Sequence, residues 1–133
     1  MGMNSTKEAT KIVTHEKGVL REGLGGGTGI GPAYVYDLVD KKDMEGQGRF
    51  YAKIVLPKGS SIGWHQHVNE TEPYYILSGT GEFTDNDKSK TIVTAGDICQ
   101  IKCNEWHALA NVGDDDLVLI ALVYFERGRE ELY

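Results

Sequence analysis

The chain is poor in several things that would each direct a reading of its function. It has two cysteines, three prolines and no run of apolar residues approaching a membrane span of about 18. Cys99 and Cys103 are separated by three residues, so they do not form the C-x-x-C pair of a redox or zinc site. They read as free, partly buried thiols of a cytoplasmic protein. Positive charge is also short. Fourteen Lys and Arg stand against twenty Asp and Glu, a net charge of −6, which leaves no counter-charge for a phosphate backbone and argues against a nucleic-acid partner. No basic amphipathic stretch suits a membrane surface, and the first residues lack the apolar core of a signal peptide.

Helical periodicity is absent as well. What is present is a series of short β-type runs punctuated by many of the seventeen glycines. Strands are expected at 33–39, 49–56, 74–77, 81–84, 91–94, 97–101, 107–112 and 117–125, the last being the longest apolar run. Asp85-Asn86-Asp87 reads as a hairpin turn and Asp114-Asp115-Asp116 as a solvated one. Residues 8–13 fit a strand or a short helix, and 126–133 a helical or frayed tail. Many short strands at this spacing predict an all-β sandwich or barrel. The organisation expected is an N-terminal arm with a Gly-rich loop (1–32), a β-barrel (33–126) and a tail (127–133). The loop Gly23–Gly31 has neither the Gly-Lys-Ser/Thr ending of a P-loop nor strict G-x-G-x-x-G spacing. It reads as a surface loop that could lie over a barrel mouth.

Chemistry concentrates in two segments. In G-SSIGW-H-Q-H-VNET-E-PYYILS-G, residues 59–79, His65 and His67 are two apart, so on a strand both imidazoles point one way while Trp64 and Gln66 point the other. Glu72, after the turn-like residues 68–71, can return a carboxylate to the same point. In G-DICQI-K-C-N-EW-H-ALA-N, residues 96–111, His107 opens a strand after a turn. The fourth histidine, His15, lies in the arm and receives no role.

These segments resemble the two motifs of the cupin superfamily. The first motif, G-x5-H-x-H-x4-E-x6-G, is present at every named position. In the second, G-x5-P-x-G-x2-H-x3-N, Gly96, His107 and Asn111 match, while Lys102 stands in place of proline and Asn104 in place of glycine. Asparagine tolerates the left-handed conformation, so the turn can still form. The resemblance implies an all-β double-stranded β-helix, the jelly-roll cupin barrel, with one divalent metal held by His65, His67, Glu72 and His107. Three imidazoles and a carboxylate suit Mn, Fe, Co, Ni or Zn, and the family favours Mn or Fe.

The chain further resembles small single-domain cupins akin to oxalate decarboxylase, through G-SSIGW-H-Q-H, YYILSGTGEF and GDICQI. This implies a metal-dependent enzyme, dioxygenase or decarboxylase-like, acting on a small carboxylate or enediol. The alternatives are a redox-neutral sugar-acid isomerase or lyase and a non-enzymatic small-molecule binder. Oxalate decarboxylases carry an arginine three positions before the first histidine, where this chain has Ile62, and their acidic lid motif is not evident here. Tyr74, Lys53 and Gln100 are the candidates for gripping a polar substrate. Cupins of this size pair as homodimers, by sheet packing or by strand exchange, for which the arm 8–20 is the candidate.

Overall fold

A computed structural model describes residues 12–126, so the expectations for 8–11 and 127–133 lie outside the described residues. Among the described residues ten strands form two sheets in which every pairing is antiparallel. They are β1 (Lys17–Glu22), β2 (Pro32–Val39), β3 (Gly48–Leu56), β4 (Ser61–Gln66), β5 (Glu70–Ser78), β6 (Gly81–Thr84), β7 (Lys90–Val93), β8 (Ile98–Ile101), β9 (Trp106–Asn111) and β10 (Leu117–Phe125). The larger sheet runs β1-β2-β3-β10-β5-β8 and the smaller β4-β9-β6-β7. This is the jelly-roll architecture predicted. Among the described residues the only helix is one 3-10 turn at Lys41–Asp43, and no helix is long and apolar enough to cross a membrane.

The core lies between the sheets. Alternation along β3 sends Ala52, Ile54 and Leu56 inward, and along β10 it sends Leu119, Ala121 and Val123. Tyr74 and Ile76 of β5, Phe83 of β6 and Leu109 of β9 meet them. Each large apolar side chain buried this way stabilises the fold by about 1.5–3 kcal/mol.

Two strands depart from expectation. β5 begins at Glu70, not Tyr74, and runs through Pro73. Proline within a strand reads as a terminus because it has no N–H to donate. Here the paired positions on β10 skip from Ala121↔Tyr74 to Tyr124↔Thr71, so Pro73 sits where that ladder lapses. β1 was not expected at all. Its sequence KGVLRE is exposed throughout and shows no apolar alternation, and it forms by pairing with β2 of the same chain. Residues 17–20 of the arm are therefore an edge strand of the larger sheet.

Candidate metal centre

His65 reaches the interior because β4 is bulged. Ile62 opposes Leu109 and is buried, and His65 opposes His107, so β4 carries one residue more than β9 between these pairs. Strict alternation from Ile62 would turn His65 outward; the bulge at Gly63-Trp64 restores it to the inner face. Trp64 stacks on Trp106, ring centroids 5.8 Å apart, and Gln66 is exposed, as expected of the opposite face.

His67 follows β4 and is held by its backbone. Its N–H donates to Glu105 O (3.2 Å) and its carbonyl accepts from Asn104 N (2.8 Å). Asn104 takes the left-handed conformation expected of it, with φ 69. It also does something glycine could not: its Oδ1 accepts from Asn69 N (2.9 Å), tying the two turns that carry His67 and His107. Asn69, φ 61, reverses the chain into β5 and delivers Glu72 inward.

The four side chains converge. His67 Nε2 lies 3.1 Å from both His65 Nε2 and His107 Nε2, and 2.8 Å from Glu72 Oε1. Glu72 Oε1 is 3.3 Å from His107 Nε2, and one ligand atom from each of the four residues fits within 4.8 Å of the others. His67, Glu72 and His107 are buried.

This cluster fits a metal ion. Donors about 2.1 Å from a shared centre and at right angles stand roughly 3 Å apart, the spacing found here. Glu72 Oε1 is buried and has no hydrogen-bond partner, which is costly for a carboxylate without a cation. Two of the imidazoles also have their remote nitrogens engaged, leaving Nε2 to face inward. His65 Nδ1 is 2.7 Å from Gly63 O, and His67 Nδ1 is 2.8 Å from Glu70 Oε1.

Glu70 belongs to this arrangement and was not anticipated. It receives two bonds from Arg49, Nε to Oε2 at 2.8 Å and Nη2 to Oε1 at 2.6 Å. The only sequence signal was an extra glutamate in the unspecified x4 interval of the first motif. Burial would raise the Glu70 pKa, but Arg49 and His67 outweigh it and hold the carboxyl down at about 2. Burial likewise opposes charge on His67, yet Glu70 and Glu72 carry its pKa up to about 9. Burial lowers the His65 pKa. Burial, with Glu72 alongside, raises that of Tyr74, which stays a neutral phenol.

A cavity of about 200 Å³ opens beside the cluster, its wall including His65, His67, Glu72, Tyr74, Arg21 and Arg49. The Gly-rich loop covers part of it. Leu24 O accepts from Gly63 N (2.8 Å), and a Cβ on Gly25, whose φ is +86, would come 2.5 Å from Gly63 N. Only glycine allows that approach.

Of the three candidates for gripping a substrate, Tyr74 lines this cavity. Lys53 does not. β3 alternation puts it on the outer face of the larger sheet, where Nζ lies 3.0 Å from Glu16 Oε2 and 4.7 Å above the Tyr36 ring. Gln100 lies on a separate hollow of about 220 Å³ that His107 also lines, not on the cavity wall. For Lys53 and Gln100 the strand's facing was not readable without its partner strands. Cys99 is buried and Cys103 half-buried, and no disulfide joins them.

Residues 52–123 match the cupin domain family, and the chain belongs to it. It is 37% identical over 118 residues to an oxalate-binding protein of Thermotoga maritima, covering 88% of this chain and 97% of that one. A crystal structure of a predicted oxalate decarboxylase from Thermotoga maritima superposes with a TM-score of 0.79 at 32% identity, covering 86% of this chain and 99% of that one. The cupin domain of Schizosaccharomyces pombe Cnp3 gives 0.66 at 11% identity, covering 86% and 73%, which is a likeness of fold alone.

Proposed function

We propose that the protein holds one divalent metal ion through His65, His67, Glu72 and His107 and binds a small carboxylate of the oxalate class there. The observation that carries this is the buried, unpartnered Glu72 Oε1 facing three imidazole Nε2 atoms. Manganese or iron is the metal favoured by the family, with zinc, nickel or cobalt also suited to the donors. When bound, such an ion supplies a Lewis-acid centre able to take carboxylate oxygens. The cavity favours a small ligand, since pockets for drug-sized molecules run to about 300–1,000 Å³. Kinship with an oxalate-binding protein over nearly its full length supports the same class.

Within the cavity, Tyr74 offers a neutral O–H beside Glu72. Leu24, Phe50, Ile54 and Ile62 form an apolar wall that limits water, and Leu24–Gly26 forms part of the mouth. Among the described lining residues, Glu72 is the only carboxyl. A wall with no second carboxyl to donate a proton favours binding over decarboxylation. Among the described lining residues Tyr74 is the one hydroxyl, through which an enzymatic reading, decarboxylation or oxygen insertion, would move a proton.

The test is elemental analysis of the purified protein beside a His65→Ala/His107→Ala variant, followed by calorimetry with oxalate and assays of oxygen uptake and carbon dioxide release. Near-stoichiometric metal lost in the variant, with oxalate binding dependent on it, is expected. Absence of metal after reconstitution would overturn the site, and turnover of oxalate would replace binding by catalysis.

We also propose a homodimer. β10 is central in the larger sheet, yet its outer positions Val118, Ile120 and Leu122 are apolar, and Tyr75 and Leu77 of neighbouring β5 are about half and 39% exposed. An apolar outer face on a central strand calls for a cover, and a second copy of the same face provides one by twofold symmetry.

A further inference from the structure

We propose that Arg21 anchors the ligand carboxylate that does not sit on the metal, so that the protein selects short dicarboxylates over monocarboxylates; this rests on the carboxylate reading above. Among the described residues two guanidinium groups line the cavity, Arg21 and Arg49. They are not equivalent. Arg49 is committed to Glu70 through two short bonds, which neutralise it. The side chain of Arg21 makes no hydrogen bond or ion pair among the described residues, so its five donors are open on the cavity wall.

The register explains why an exposed edge strand contributes to the wall. Arg21 of β1 pairs with Ala33 of β2, and side chains directly opposite share a face. Ala33 is buried in the core, so Arg21 is directed to the inner face, while Glu22 at the next position takes the other. Ala33 is also small, which leaves room for the arginine stem to cross toward the mouth.

Its position relative to the metal ligands is fixed by a short relay. Three residues beyond Arg21, Leu24 O accepts from Gly63 N, and Gly63 O is the partner of His65 Nδ1. A Cβ on Gly26 would lie 3.4 Å from His65 Cβ. The turn after β1 is thus seated directly on the strand carrying the first histidine. An arginine fork pairs with a carboxylate through two parallel bonds, a geometry that an ammonium cannot reproduce. A ligand with one carboxylate at the histidine cluster has its second within the same cavity of about 200 Å³, whose wall includes Arg21.

The experiment is calorimetry on the full-length metal-loaded protein, with oxalate, malonate and formate as probes, for wild type, Arg21→Ala and Arg21→Lys. Metal content and melting temperature are measured alongside. Arg21→Ala is expected to weaken oxalate binding by roughly tenfold to a hundredfold while leaving formate binding, metal content and melting temperature unchanged. Arg21→Lys should recover only part of the loss. Equal oxalate affinity in wild type and Arg21→Ala would overturn the role of Arg21 and leave the carboxylate site standing. A wild-type protein that carries metal but binds none of the three probes would overturn the carboxylate reading and this inference with it.

Discussion

Glu70 Oε1 lies 2.8 Å from His67 Nδ1, and the two residues form one unit with His65, Glu72 and His107 behind them. A carboxylate there fixes the tautomer, because it accepts a hydrogen bond from Nδ1–H and leaves Nε2 to face Glu72, 2.8 Å away. A metal ion held at Nε2 would take the place of a proton there.

Glu70→Gln should therefore weaken metal binding without removing a ligand. The amide keeps the size of the side chain but loses the charge that raises imidazole basicity and pairs with Arg49. Loss of such a partner typically lowers metal affinity by roughly 10–100-fold. Competition against a chromophoric chelator would measure it, and an unchanged affinity would reduce Glu70 to a packing residue.

Stability of the metal-free protein should depend on pH in a defined window. His67 is raised from 6.5 to about 9, so its contribution is complete below its unfolded value of 6.5 and is lost as pH rises through 9. Glu70 is lowered from 4.5 to about 2, so its contribution is present above 4.5 and is lost as pH falls toward 2. The two overlap between about pH 4.5 and 6.5, where melting temperature should reach a plateau. Added metal should remove the decline at high pH, since it takes the place of the proton. A melting temperature that climbs steadily from pH 6 to 9 without metal would contradict this account.

The strand-rich character and the His65/His67 pair were legible in the sequence because both depend on local spacing, while the jelly-roll topology and the joining of Glu72 and His107 to that pair came from the resemblance to the two cupin motifs. Period-two alternation and turn residues mark strands, and H-x-H places two imidazoles on one face whatever the strand pairs with. Features set by pairing between distant segments were not legible. The β4 bulge that turns His65 inward exists only in register with β9. Pro73 is tolerated because of a lapse in the β10 ladder. Lys53 faces outward, and Arg21, which was not singled out from the sequence, faces inward, for the same reason: their facing follows from Ala52, Ile54 and Ala33, whose burial depends on the opposite sheet. Glu70 was hidden because a motif interval carries no residue preference by which to single it out.

Asn111, the last position of the second motif, is structural. Its Nδ2 donates to Leu56 O (2.8 Å) and Asp115 O (2.9 Å), and its Oδ1 accepts from Gly113 N (2.9 Å), so one buried side chain fastens the end of β3 to the turn before β10. Asn111→Ala leaves those groups unpaired and should cost about 1–3 kcal/mol in chemical denaturation. Asn111→Asp should do no better, because an ionised carboxylate cannot donate to two carbonyls. Metal stoichiometry should be preserved in both, and its loss would place Asn111 in the site.

The outer face of the larger sheet supports the last prediction. Ile120 lies at its middle, directly opposite Lys53 on β3 and Tyr75 on β5. Lys53 does not interrupt the apolar surface as a bare charge, since Glu16 and the Tyr36 ring engage its ammonium. Burying a new carboxylate in that setting is costly, whereas on a solvent-facing strand it is nearly neutral. Light scattering on wild type should give about twice the chain mass of 14.7 kDa, and Ile120→Glu should return it to one chain with the metal retained. A wild-type monomer at micromolar concentration would leave the apolar face without the cover proposed for it. A dimer that survives Ile120→Glu would move the interface to another surface, with the β1 edge as the next segment to alter.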